Sequence, residues 1–215
     1  MKWLFTPQRR GDVEMAVTQR DQFDNDFMKL EETIIREPIQ NSLDASAKDW
    51  AERSGFPMPD GCSEVVKVVF RWVELKDTNF VNKLLKDQLP HAKAAGLGVD
   101  KIDFDNPTAL IIEDFGTTGL LGDIKDQDKC VEKDFHGFWR AHGNSNKEGA
   151  SRGRWGLGKL VYSCTSELGV FFGLTLRPDD KEQYLMGQTV LNSRSYDGKK
   201  YPPHAYFCNL EDEDN

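Results

Sequence analysis

Residues 27–50 restrict the fold more than any other stretch, because Leu30, Ile34, Ile35, Ile39, Leu43, Ala47 and Trp50 recur there at helical spacing. An amphipathic helix of this length needs another element to cover its apolar stripe. Pro38 lacks a backbone donor and collides with the preceding turn, so the helix is expected to bend or restart there, directly beside Glu37.

The rest of the chain supplies short strand-like runs and further helices. Residues 55–61, with Pro57 and Pro59, form a loop into residues 64–75, whose Val, Phe and Trp content reads as a buried strand. Asp77 can cap a helix reaching about residue 95, where Gly96 and Gly98 end it. Thr108 to Ile112 is a short apolar strand ending at Glu113-Asp114, followed by a glycine-rich turn over residues 116–122 and a helix over 131–141. Residues 142–154 are polar, rich in glycine and long for an idle connection, so a mobile lid is expected. Residues 157–164 read as a helix, and the alternating runs 168–176 and 184–191 as strands joined through Pro178-Asp179-Asp180. Tyr196-Asp197-Gly198 marks a further hairpin, and residues 211–214 are an acidic tail. Residues 1–26 are polar and irregular, an arm expected to pack on something else, leaving residues 27–215 as one domain.

With 38% hydrophobic residues and 11% aromatics in 215, the chain can build a real core. A formal net charge of −8 leaves no overall basic field for a phosphodiester backbone, so nucleic acid would need a local patch or another domain. Cys62, Cys130, Cys164 and Cys208 lie far apart with no CxxC pair, which disfavours a zinc site or a disulfide framework and fits a reducing compartment. No signal-peptide core and no long apolar run occurs, so a soluble, cytoplasmic protein with no membrane partner is expected. His91, His136, His142 and His204 form no metal pair, and Arg10-Gly11-Asp12 is a chance adhesion tripeptide.

Three segments carry chemistry. In the first, Glu37, Asn41 and Asp44 are spaced by four and three and share a helix face, away from Ile35, Ile39 and Leu43. A solvated polar stripe is the plain reading, but a carboxylate one turn from an amide also suits phosphoanhydride hydrolysis: Asn41 offers a neutral oxygen to magnesium, and Glu37 can take a proton from water. In the second, Asp114 at a strand end can accept a hydrogen bond from an exocyclic amine, and Gly116 and Gly119 let backbone approach a flat ring. In the third, Gly153-Arg154-Trp155-Gly156-Leu157-Gly158-Lys159 opens a helix whose free amides can face an anion, with Lys159 adding a point charge.

In this order the segments resemble those of the GHKL superfamily, the gyrase, heat-shock chaperone, histidine kinase and MutL ATPases. The family's E-x-x-x-N helix followed by D-A is matched by Glu37, Asn41, Asp44 and Ala45, its D-x-G-x-G turn by Asp114 and Gly116, and its late G-x-x-G-x-G by Gly153, Gly156 and Gly158. The first segment looks most like the MutL wording, and residues 142–147 resemble the lid of MORC-type ATPases. The second segment holds one residue more before Gly119 than the family pattern. The resemblance, which spans roughly residues 33–166, implies that Glu37 is the general base, Asn41 the magnesium ligand and Asp114 the reader of the adenine amine. Ser145, Lys147 and the loop from Gly153 to Lys159 would enclose the phosphates. It also implies an α+β Bergerat fold: a two-layer sandwich with a mixed, largely antiparallel sheet covered on one face by helices. Family members supply a terminal-phosphate lysine from a later domain, and none is recognisable before Asn215, so a longer parent protein is expected.

Other motif readings fit less well. Gly153-x4-Gly158-Lys159 nearly spells a Walker A loop, but it follows the Walker B-like strand and carries Leu160 where Ser or Thr should bind magnesium. Asp114-Phe115-Gly116 spells the kinase tripeptide without an H-R-D loop before it. The expectation is slow ATP hydrolysis to ADP driving lid closure and homodimerisation within a DNA-processing or defence machine. The alternative is a nucleotide-gated clamp on DNA or a client protein with little hydrolysis; a chaperone-type ATPase and a histidine-kinase-like phosphotransferase rank lower.

Overall fold

The computed structural model describes residues 1–12, 29–125, 134–140, 159–178 and 180–209. The fold is α+β, and every strand pairing in it is antiparallel. A four-stranded sheet runs in the order β1 (Lys2–Leu4), β8 (His204–Cys208), β5 (Gln183–Val190), β4 (Val170–Leu176). Two ribbons accompany it: β2 (Lys67–Glu74) with β3 (Thr108–Phe115), and β6 (Arg194–Tyr196) with β7 (Lys199–Tyr201). The expected single mixed sheet is therefore replaced, among the described residues, by three antiparallel units.

Alternation along β4 and β5 gives the larger sheet two apolar faces, and helices lie on both. On one face Phe171 and Met186 pack with Phe135 and Trp139 of α5 (Asp134–Trp139), and a Cβ on Gly173 would meet the Trp139 ring at 2.8 Å. On the other, Val170 and Leu168 pack with Val81 and Leu85 of α3 (Thr78–Leu85). There the buried Gln88 of α4 (Gln88–Ala94) donates to Leu168 O at 2.8 Å and to Thr189 Oγ1 at 3.2 Å. One-sided coverage is thus corrected: Leu168, Val170, Phe172 and Phe207 make the second face apolar too, and it must also be buried.

The amino terminus is also corrected. Residues 2–4 are an edge strand of the sheet; Trp3 is buried against Phe172 and Phe207, and its indole N–H donates to Leu84 O at 2.8 Å. Phe5 stacks on His91 with ring centroids 3.7 Å apart. His91 Nδ1 accepts from Arg194 Nε at 3.2 Å, which ties the β6–β7 ribbon to α4. That ribbon turns through Asp197 and Gly198, both at positive φ, as a tight two-residue hairpin requires.

The long helix α1 (Leu30–Asp44) runs through Pro38 without restarting. Its break comes later, at Ala45 and Ser46, where the Ser46 hydroxyl accepts from Asp49 N and caps α2 (Ala47–Ser54). Asp77 caps α3 by accepting from Phe80 N, but the helix expected to reach residue 95 is divided into α3 and α4. Among the described residues, Cys62, Cys164 and Cys208 are not joined in disulfides. Among the described residues, no helix is long and apolar enough to cross a membrane.

Candidate functional site

Helix α1 buries part of its polar face and exposes part of its apolar one. Ile35, Ile39 and Leu43 are exposed at 53%, 37% and 53%, whereas Thr33, Pro38 and Ser42 are buried and Glu37, Asn41 and Asp44 half-buried. Three of the seven positions of the expected apolar seam are therefore exposed, whereas Leu30, Ile34 and Trp50 are half-buried and Ala47 is buried. The polar face is tolerated inside because partners wait for it: the Ser42 hydroxyl lies 2.8 Å from Pro38 O and 2.9 Å from Asp114 Oδ2. Since one hydroxyl proton serves one acceptor at a time, Ser42 ties α1 to the end of β3 whenever it turns to Asp114.

A second clip joins the first two motifs through the backbone. Ser46 and Thr117 form an antiparallel bridge, Thr118 N donates to Ala45 O at 2.9 Å, and Ala47 N donates to Gly116 O at 3.0 Å. Gly116 and Gly119 have φ of +74° and +65°, which L side chains rarely adopt. A Cβ on Gly116 would fall on the Val65 carbonyl oxygen, and one on Gly119 would lie 2.5 Å from Leu176 O and 2.8 Å from Thr175 Oγ1. The close approach expected of a ligand ring is thus made, at both positions, by the chain's own carbonyls.

The helix that follows the third segment reaches the first two through a residue that no motif contains. Tyr162 stands in α6 (Leu160–Cys164), which packs against α1, with its ring 6.2 Å from Phe138 and 5.5 Å from Phe171. Its hydroxyl lies near the side chains of Asn41, Asp114 and Glu37 on α1 and β3. Burial pushes the phenol up to about 12, with Asn41 opposing and the two carboxylates adding to the rise. The first motif, the second and the helix after the third thus converge on one phenol. The sequence signal was only that the helix after a glycine loop must face something.

Glu37 is paired through Oε1 with Arg36 Nη2 at 2.9 Å, and its side chain is 16% exposed. Lys159 does not present its ammonium at the surface: it is buried and donates to Gly137 O in α5, and burial lowers its pKa to about 8. The charge expected beside an anion is thus tied to an internal carbonyl, because the Lys159 stem enters the protein at the start of α6. Ser145, Lys147, Gly153, Arg154, Trp155, Gly156, Leu157 and Gly158 lie outside the described residues.

The donors fit a magnesium-nucleotide only in part of its shell. Asn41, Glu37 and Asp114 offer hard oxygens. Among the described residues no three His, Cys, Asp or Glu side chains cluster as a metal cage, so an ion here would take one or two protein oxygens and complete its shell with phosphate and water. A cavity of about 270 Å³ lies by Leu4, Arg140 and Tyr206, and a shallow groove of about 610 Å³ follows the outer face of α1. Neither is lined by Asn41 or Asp114. Comparison with family models, curated proteins and solved structures gave no match.

Proposed function

We propose that the chain is a magnesium-dependent ATPase domain of GHKL type with a Bergerat fold, in which nucleotide binding drives lid closure and homodimerisation. The observation that carries this reading is the burial of part of the polar face of α1. A helix placed by burial alone would turn Ile35, Ile39 and Leu43 inward; this one turns Glu37 and Asn41 towards Tyr162 and Asp114. The three motif segments, in the superfamily's order, give those residues their roles.

Asn41 would hold the magnesium ion, which when bound neutralises charge on the phosphates. Asp114, steadied by Ser42, would accept from the adenine amine. Glu37 would take the proton of an attacking water, leaving its pairing with Arg36 or sharing that pair during transfer. Positioning and charge neutralisation lower most of the barrier in such chemistry, so turnover should be slow. A DNA or protein client would be engaged through other domains.

Calorimetry and phosphate release on point variants test the assignment. Glu37→Ala should bind ATP yet lose about 10²–10⁴-fold in hydrolysis, the usual worth of a general base. Asn41→Ala should lose magnesium-dependent binding, and Asp114→Asn should weaken adenine nucleotides without unfolding the chain. Parent-level turnover by Glu37→Ala would remove the assigned base, and equal affinity for GTP in the parent would remove the adenine assignment.

A further inference from the structure

Helix α5 covers only part of its face of the sheet. Phe135 and Trp139 pack with Met186, the helix ends at Trp139, and beside Arg140 lies the cavity of about 270 Å³. Leu4 of β1, Met186 of β5, and Tyr206 and Cys208 of β8 line it, the last two sharing a face because they stand two apart on one strand. Glu37, Asn41 and Asp114 do not line it, so it is separate from the nucleotide site proposed above.

Arg140 gives this hollow its chemistry. The backbone leading into it is clamped: the buried Trp139 carbonyl accepts from Tyr206 Oη at 2.9 Å and from Gln188 Nε2 at 3.4 Å, and Arg140 N donates to His136 O at 2.8 Å. Among the described residues no carboxylate pairs with its guanidinium, although the chain carries 36 Asp and Glu against 28 Lys and Arg. No acid lines the cavity either. Burial pushes both the Tyr206 hydroxyl and the Cys208 thiol up, with the Arg140 charge opposing the rise, so both stay neutral at pH 7 and neither offsets the guanidinium. Leu4 and Met186 add apolar surface to the same hollow.

We propose that this cavity is a binding site for a small amphiphilic carboxylate, with Arg140 taking the carboxylate and Leu4 and Met186 the apolar body. A planar guanidinium matches a carboxylate through two parallel N–H···O bonds, which the point charge of a lysine does not copy. The volume falls just below the usual range of about 300–1,000 Å³ for ligand pockets, which limits the body to a short chain or a single ring.

The test titrates the full chain calorimetrically with hexanoate, benzoate, hexanol, hexylammonium and inorganic phosphate, and follows alkylation of Cys208 by peptide mass spectrometry with and without each. Hexanoate or benzoate should saturate one site and slow alkylation at Cys208 but not at Cys62. Hexanol, hexylammonium and phosphate should bind at least about tenfold more weakly. Arg140→Gln should weaken carboxylate binding about 10–100-fold, the worth of a hydrogen bond to a charged group, while the urea midpoint and the hexanol affinity stay as in the parent. Arg140→Lys should fall between the two, because it keeps the charge and loses the fork. If Arg140→Gln binds the carboxylate as the parent does, or if the bound carboxylate leaves Cys208 unprotected, the assignment is overturned. Phosphate binding as tight as that of hexanoate would show that charge alone is read, and no saturable binding of either carboxylate would show that the hollow takes no such ligand; each result overturns the proposal.

Discussion

Replacing Gly116 with alanine should cost far more than replacing a glycine of the same backbone conformation in open space, and the difference measures how tightly the second motif is clipped. Gly116 has φ +74° and Gly198 has φ +70°, so both variants pay the left-handed penalty of about 1–2 kcal/mol. At Gly198 nothing lies within 4 Å of the new Cβ. At Gly116 it would fall on the Val65 carbonyl oxygen and lie 2.9 Å from that of Ser63, so backbone must move. That backbone leads straight into β2, whose first residue, Lys67, pairs with Phe115, the neighbour of Gly116. Displacement therefore strains a fixed register, and overpacking of this kind adds about 1–3 kcal/mol. The totals are about 2–5 kcal/mol for Gly116→Ala and about 1–2 for Gly198→Ala. Urea unfolding followed by far-ultraviolet circular dichroism, with m unchanged, should give a midpoint shift about twice as large for the first. Equal shifts would show that the segment at Val65 yields freely, and the argument that Gly116 pins the site would fail.

Two further outcomes bear on the frame. Burial and the Arg194 charge, in that order, hold His91 down to about 4, below its ordinary 6.5, so stability should be full above 6.5, fall as pH drops towards 4 and level off below. The contribution is on the order of 2 kcal/mol after allowance for screening, and His91→Gln should remove that part of the slope in pH-dependent unfolding; parallel slopes for parent and variant would refute it. Trp3→Ala should cost about 3–5 kcal/mol, because it empties a buried site between Phe172 and Phe207 and orphans Leu84 O; a loss under about 1 kcal/mol by chemical denaturation would mean that β1 is not part of the core.

The elements that could be read from sequence are those whose signals are local. Asp197-Gly198 announces its hairpin because few other pairs tolerate positive φ, and Asp77 and Gly96 mark helix ends through caps that need no tertiary partner. The strand ending near Asp114 was legible from Leu110, Ile111 and Ile112, although it runs on to Phe115 because β2 pairs along its whole length. What failed depends on distant partners. Hydropathy placed Ile35, Ile39 and Leu43 inward; part of the polar face lies inside instead because Ser42 finds Asp114, which is not nearby in sequence. A three-residue edge strand such as β1 has no period to detect, and Trp3 is placed by rings more than a hundred residues away. Glu37, Asn41 and Asp114 were legible as types at a spacing, whereas Tyr162 was not, since a tyrosine in a short helix is ordinarily core.

The internal bond of Lys159 changes how the remaining charge problem must be solved. Its ammonium joins the residue before α6 to Gly137 of α5. The two helices meet there beside the stacked pair of Trp139 and Phe171, whose centroids are 5.4 Å apart, and Tyr162 of α6 belongs to the same aromatic packing. The same bond ties Lys159 to a buried carbonyl, a desolvated acceptor that costs about 1–3 kcal/mol to leave unpaired, so an external anion would have to share the ammonium with it. In the proposed reaction the negative charge of the triphosphate would be met chiefly by backbone amides and by the cation that Asn41 holds, because the Lys159 ammonium is shared with a buried carbonyl.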